Sequence, residues 1–356
     1  MRAVTAVATA AWLLVTGLAL GSGQSRAGGR MKRGIETKHH SAGANLSIFT
    51  EGDLDDLHLG ALEILDRTGV FVESDEALDI FSDAGCRVDR ETHIVKISPT
   101  VVADALRSVR PSFRLCGRDP EDDVLVEQGR TVFALFGEGL FVNDIETGER
   151  RESTKQDMAD LIRVGDALSE MEVNNAAIIP RDVPDENAEI HSLEAVFHNT
   201  TKPFAISFLG KRDCEIATKM AAAVAGGYDA LIDRPLLMFV ACPVAPLVLP
   251  SILTENFIAG ARTNAPIQCT SMGMAGASTP VTLAGTLLVQ NCEQLASIVL
   301  VQKVNPGNPM FYGSSTCTMD MRWGSSAVGT PETALYMAGT AAMARYYSMP
   351  SWTAGY

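Results

Sequence analysis

Pro309-Met310-Phe311-Tyr312-Gly313-Ser314, then the helical stretch Glu332–Tyr347, then Pro350-Ser351-Trp352-Thr353-Ala354-Gly355: this run sets the fold. A short apolar segment ends in small and polar residues, a helix follows, and the same kind of segment returns. The beat recurs upstream, with apolar runs at Ala176–Ile179, Phe204–Leu209, Leu236–Cys242 and Pro266–Met272. Helical stretches lie between them at Asp213–Ala225, Ile252–Arg262 and Val281–Val301. The starts recur roughly every thirty to forty residues, the length of one βα unit. Units of one period in series build a parallel sheet and favour closure into a barrel. Counting from Ala176 gives six such runs, and Phe133–Phe136 is either a further strand or part of a hairpin. The expected fold is α/β, a (β/α)8 TIM-type barrel with an N-terminal α+β extension, incomplete at the C-terminus because an eight-stranded barrel needs more units.

Ahead of the barrel, Thr50-Glu51-Gly52-Asp53 reads as a helix start with an acidic residue three places after the Thr. Leu54, Leu57, Ala61, Ile64 and Leu65 follow at helical spacing. Ser74–Ala84 and Pro99–Ser108 read as further helices, with an alternating strand and turn over Val88–Ile97. The expected domains are 1–45, a leader or over-extended start; 46–130, an N-terminal cap; and 131–356, a partial barrel. The leader question has two readings. Met1-Arg2 and the apolar run Ala3–Leu20 have the shape of a secretory signal, whereas a true start at Met31 makes the segment a gene-start artefact.

The formal charge of −14 leaves no basic stripe to neutralise phosphates, which argues against nucleic acid. Seven cysteines, Cys86, Cys116, Cys214, Cys242, Cys269, Cys292 and Cys317, are scattered without CxxC pairing. An odd, dispersed set in a chain this long indicates reduced thiols and a cytoplasmic protein.

HExxH, GxSxG and GxGxxG are all absent, as is a His/Cys/Asp/Glu cluster at metal-ligand spacing, so metalloprotease, hydrolase and dinucleotide readings fail. Barrel chemistry sits at the carboxyl ends of strands. Those ends carry Ser207, Cys242, Ser271, Tyr312-Gly313-Ser314-Ser315-Thr316 and Ala354-Gly355-Tyr356. The candidate substrate-binding residues are Tyr312, Ser314, Ser315, Ser271 and Cys242; the candidate catalytic residues are Tyr356 and Glu332. Thr330 and Pro331 read as a helix cap and first turn that aim Glu332 at the barrel mouth. Phe136-Gly137-Glu138-Gly139 sets a carboxylate between two glycines, which suits close backbone approach or a simple turn. His191 and His198 stand two helical turns apart and read as helix-packing or solvated residues. A barrel lyase or aldolase needs a Schiff-base Lys on a strand end, and none of these ends offers one.

Several of these runs resemble the trimethylamine:corrinoid methyltransferase family, which contains pyrrolysine. They include Gly85-Cys86-Arg87-Val88-Asp89, Gly117-Arg118-Asp119, Cys242-Pro243-Val244-Ala245-Pro246-Leu247 and Ser271-Met272-Gly273-Met274-Ala275-Gly276. Tyr312–Thr316, Val328-Gly329-Thr330-Pro331-Glu332 and the terminal Ala354-Gly355 belong to the same set. The resemblance runs from about Leu46 to the end of the sequence. It implies methyl transfer from trimethylamine to the Co(I) of a separate corrinoid protein, so no cofactor is expected on this chain. It further implies that the chain stops at the amber codon of a catalytic pyrrolysine, so that the 356-residue product itself is inactive, and that the protein is a homo-oligomer. Tyr312 and Tyr356 then offer cation–π faces to a methylammonium-like guest. Two alternatives stand beside it: a relative without pyrrolysine that demethylates a quaternary amine such as glycine betaine, and a non-catalytic fragment.

Overall fold

A computed structural model describes residues 47–354, so the expectations for the leader, Gly355 and Tyr356 lie outside the described residues. The first helix, α1 (Glu51–Arg67), starts as expected: Thr50 Oγ1 accepts from the Asp53 amide at 3.2 Å while Asp53 Oδ2 accepts from the Thr50 amide at 2.8 Å. Then come β1 (Val70–Val72), α2 (Asp75–Asp83), β2 (Arg87–Asp89), β3 (Ile94–Lys96) and α3 (Pro99–Ser108). Two hairpins follow, β4 (Ser112–Leu115) with β5 (Val124–Glu127), and, after β6 (Phe133–Ala134), β7 (Phe141–Asn143) with β8 (Arg150–Glu152).

From there strand and helix alternate: α4 (Lys155–Ala167), β9 (Met171–Asn175), α5 (Ala188–Asn199), β10 (Phe204–Ile206), α6 (Lys211–Ala225), α7 (Tyr228–Asp233) and β11 (Leu237–Ala241). The series continues with β12 (Val248–Leu249), α8 (Ser251–Arg262), β13 (Ile267–Ser271), β14 (Met274–Ala275), α9 (Leu283–Val304) and β15 (Met310–Ser314). It ends with β16 (Cys317–Asp320), β17 (Ser325–Ala327), α10 (Pro331–Tyr346) and β18 (Ser351–Thr353).

Seven strands form one parallel sheet in the order β18-β15-β13-β11-β10-β9-β6. Each strand lies beside the next in sequence, the winding of a (β/α) barrel and not of an open doubly wound sheet. Apolar residues from both ends of the sheet meet in one cluster: Ala134 and Val173 at one end, Phe311 and Trp352 at the other, with Met238, Val240 and Phe113 of the first hairpin between them. Phe311 stands edge-on to both Phe113 and Trp352, at 4.9 and 5.4 Å between ring centroids. The sheet is therefore curled round its inner face, a TIM-type barrel wall.

Two expectations change. The apolar run Ala176–Ile179 lies past its strand: β9 ends at Asn175, and Ile178 makes only an isolated bridge to Gly139. Phe133–Ala134 is a barrel strand, which makes the parallel count seven. The N-terminal sheet is also not self-contained, because β12, from the loop after β11, adds to its edge in the order β12-β1-β3-β2.

Helix α9 is the pillar between the N-terminal elements and the barrel wall. It is apolar on nearly every side, and such a helix belongs inside a protein. By length and composition it could cross a membrane, but 78% of its most apolar window is buried here.

Candidate functional site at the carboxyl ends of the strands

Along each barrel strand, alternate residues point to opposite faces. Register fixes which is which. Gln268 pairs with Phe311 and Thr270 with Gly313 on the inner face; Cys269 pairs with Tyr312 and Ser271 with Ser314 on the outer face. Tyr312 belongs to the cluster of helices and outer-face residues, whereas Phe311 belongs to the inner one.

This parity decides the fate of the expected pocket residues. Tyr312 is fully buried, and its hydroxyl donates to Asn291 Oδ1 of α9 at 3.0 Å. Ser314 Oγ donates to Gln290 Oε1 at 2.8 Å, and Ser271 Oγ accepts from Gln294 Nε2 at 3.2 Å. All three look away from the barrel interior, onto α9. They are the strand side of a polar seam in which Gln294 Nε2 also donates to the Gly313 carbonyl at 2.7 Å. Reading strand ends by residue type alone could not separate the two faces. Ser315 is half-buried at the next position, its amide bonded to the Ser271 carbonyl at 2.9 Å. Glu332 is exposed in the first turn of α10, which Thr330 caps by accepting from the Thr333 amide at 3.3 Å. Tyr356 lies outside the described residues.

Cys242, half-buried just past β11, does reach the mouth. Burial pushes its thiol up to about 12, and the charges of Glu138 and Glu293 push the same way. Glu138 rides on the loop after β6. Gly139 donates its amide to the Ala177 carbonyl at 2.9 Å, and its own carbonyl accepts from Ile179 at 2.9 Å. A Cβ on Gly137 would stand 2.6 Å from the Ala176 carbonyl oxygen. The glycines of Phe136-Gly137-Glu138-Gly139 therefore serve close backbone approach, one of the two readings open in the sequence. The crowding raises the Glu138 carboxyl above its ordinary value, though Glu138 stays exposed and solvent limits that rise.

Glu189, in the first turn of α5, faces the same region. Burial raises its carboxyl, and the charges of Asp213 and Glu138 add to the rise. Glu189 Oε2 is buried without a hydrogen-bond partner among the described residues. Among the described residues no cationic side chain contributes to the shift of either carboxylate. The mouth on the β6–β11 side is thus acidic, partly desolvated and uncompensated. Such a site draws a small cation.

Glu189 and Glu293 escaped the sequence reading. Glu293 had a signal: Gln290-Asn291-Cys292-Glu293-Gln294 is a polar run inside an otherwise apolar helix. Glu189 had none, since it sits in an ordinary acidic helix start. His191 and His198 do not form a site; His191 Nδ1 lies 3.3 Å from Lys155 Nζ, which pairs with Glu194 at 2.6 Å on the protein surface. No group of three or more His, Cys, Asp or Glu able to hold a metal occurs among the described residues.

The profile of a family described as trimethylamine methyltransferase (MTTB) matches residues 21–356, beginning well ahead of Leu46. A trimethylamine methyltransferase MttB of Desulfitobacterium hafniense is 42% identical over 313 residues, covering 88% of this chain and 63% of the relative. The MttB of Methanosarcina thermophila is 35% identical over 318 residues, 88% of this chain and 66% of the relative. A glycine betaine methyltransferase of Desulfitobacterium hafniense strain Y51 is 32% identical over 310 residues, 87% of this chain and 64% of the relative. The chain thus spans just under two thirds of the length of these relatives.

Proposed function

Because the chain belongs to the trimethylamine methyltransferase (MTTB) family, we propose that its barrel mouth binds trimethylamine as a cation and presents one methyl group to the Co(I) of a corrinoid carried by a separate protein. The uncompensated pair Glu138 and Glu189 carries this reading. A methyl group leaves nitrogen readily only when that nitrogen is cationic, because a neutral amine would depart as an amide anion. Two carboxylates in a crowded mouth favour the ammonium form over the free amine and hold it there. Cys242, kept as a neutral thiol beside Glu138, adds a small, uncharged wall.

A carboxyl-end site on a barrel leaves its outer side open to a docked partner, so a cobalt nucleophile approaches the methyl from solvent. No step here runs through the pyrrolysine expected from the resemblance. The seven cysteines are all free thiols, which suits the cytoplasmic setting of such chemistry.

A second reading, demethylation of glycine betaine, has the named relative in its favour. Against it stands charge: betaine carries a carboxylate that Glu138 and Glu189 would repel. Calorimetric titration of the chain with trimethylammonium and with glycine betaine separates the two. Trimethylammonium should bind more tightly, and Glu138→Gln with Glu189→Gln should weaken it about tenfold, roughly one charge–charge contact. Tighter binding of betaine, or an amine affinity indifferent to both substitutions, overturns the proposal.

A further inference from the structure

We propose that His58 is a proton-operated latch between helix α1 and the barrel, working through a chain of hydrogen bonds that ends on strand β15. His58 Nδ1 lies 3.0 Å from the Tyr347 hydroxyl. Asn291 Nδ2 donates to the Tyr347 oxygen at 2.9 Å and to the Leu57 carbonyl at 3.3 Å. Tyr312 donates to Asn291 Oδ1 at 3.0 Å. The chain gives Tyr312, which strand parity turns to the outer face, a buried partner for its hydroxyl.

Direction along this chain is fixed by chemistry. The Leu57 carbonyl can only accept, so the Asn291 nitrogen faces α1, and its oxygen is left to accept from Tyr312. The Tyr347 oxygen accepts from that same nitrogen, so the Tyr347 proton points at His58. Nδ1 must therefore be the bare nitrogen of a neutral imidazole. A proton on Nδ1 sets N–H against O–H and leaves the buried Tyr347 proton with no acceptor in the chain.

The surroundings of His58 bear on its charge from three elements. On α1 itself Asp55 is the one charge felt at the ring; it favours the protonated form, but its Oδ1 is engaged by the Tyr346 hydroxyl at 2.7 Å. From the end of α10 and its C-cap, the rings of Tyr346 and Tyr347 stand 5.7 and 5.6 Å from the imidazole. From α9 come the neutral Asn291 and Cys292, the latter with Sγ 3.9 Å from the Ala61 carbonyl. Burial outweighs Asp55, and the His58 pKa is lowered from its ordinary value. Three of the polar ties that seat α1, at Leu57, His58 and Ala61, thus share one neutral, buried seam. Protonation strikes its middle.

Amide hydrogen exchange on the full 356-residue chain tests the latch at about pH 5 and about pH 7.5, with intrinsic rates corrected. Residues 51–67 should lose about tenfold in protection at the lower pH relative to α8, the order of one lost hydrogen bond with a buried donor left unmade. His58→Asn keeps an acceptor toward Tyr347 but cannot be protonated, so it should abolish the pH-dependent loss while leaving protection at the higher pH unchanged. Tyr347→Phe should weaken protection at both. Equal protection of wild-type α1 at both pH values, or a His58→Asn variant that still loosens in acid, overturns the latch. Should that variant fail to fold, the wild-type imidazole decides by NMR titration: a midpoint at or above the free-histidine value refutes it.

Discussion

Glu293 lies wholly inside the protein, on α9, with Oε1 accepting from the Leu247 amide at 3.1 Å and Oε2 unpartnered among the described residues. Burial pushes its carboxyl up to about 7 from an ordinary 4.5, against the downward pull of the bond from the Leu247 amide. A carboxyl raised in this way folds most favourably when neutral. Its share of stability is full below the unfolded value and is lost as pH rises through about 7. Glu293→Gln keeps an acceptor for Leu247 and removes the charge. It should therefore gain stability over wild type above neutral pH, on the order of 3 kcal/mol at most, and little at about pH 5. Urea unfolding at the two pH values measures this; an equal difference at both would show that Glu293 is ionised or solvated in the folded state. Leu247 has a positive φ of 62°, so the contact also holds a backbone turn that its own side chain disfavours. The glutamate is thus a fastening point for the 242–250 loop, which carries Cys242 at one end and β12 near the other.

At the level of elements, β13 and β15 approach so closely that one position between them admits only glycine. A Cβ on Gly313 would sit 2.4 Å from the Cys269 carbonyl oxygen, an atom that cannot swing aside. Gly313→Ala should cost about 2–3 kcal/mol, as overpacking against backbone does, and lower the thermal midpoint accordingly; an unchanged midpoint would mean that the strands can part. Gly313 also explains what was legible in the sequence. The run Tyr312–Thr316 supplied three of the candidate pocket residues because it holds hydroxyls, an aromatic ring and a glycine together at a strand end. In the structure the glycine serves strand approach, Ser314 and Tyr312 serve the seam with α9, and Phe311 fills the barrel. Period and helix boundaries could be read because they depend on neighbours in sequence: α3 spans Pro99–Ser108 as expected, and the Thr330 cap with Pro331 at the first turn stands where it was placed. The direction of a strand side chain depends on which face the next helix covers. No local pattern records that, and Glu138 and Glu189 come together only through loops that follow β6 and β9.

On the scale of the whole molecule, the seven-stranded sheet has two outer strands, β18 bonded to β15 and β6 bonded to β9, each on one side only among the described residues. In β6, Phe133 is 58% exposed, and α4 shows Leu161 and Val164 to solvent, with Leu168 exposed at its C-cap. An unpaired strand edge next to an apolar stripe is a template for self-association. Opposing it is the formal charge of −14, which makes copies repel. The balance is set by salt, because repulsion between surface charges fades beyond about 10 Å at 0.1 M ionic strength while apolar contact does not. The 356-residue chain should therefore be mostly monomeric in dilute buffer and associate as concentration and salt rise, followed by light scattering on a sizing column. Val164→Glu breaks the stripe, and Thr353→Lys charges the β18 edge. Each should shift association to higher salt, and both together should hold the chain monomeric. Association that weakens with salt would place its origin in ion pairs, and association untouched by the two substitutions would place it on another face.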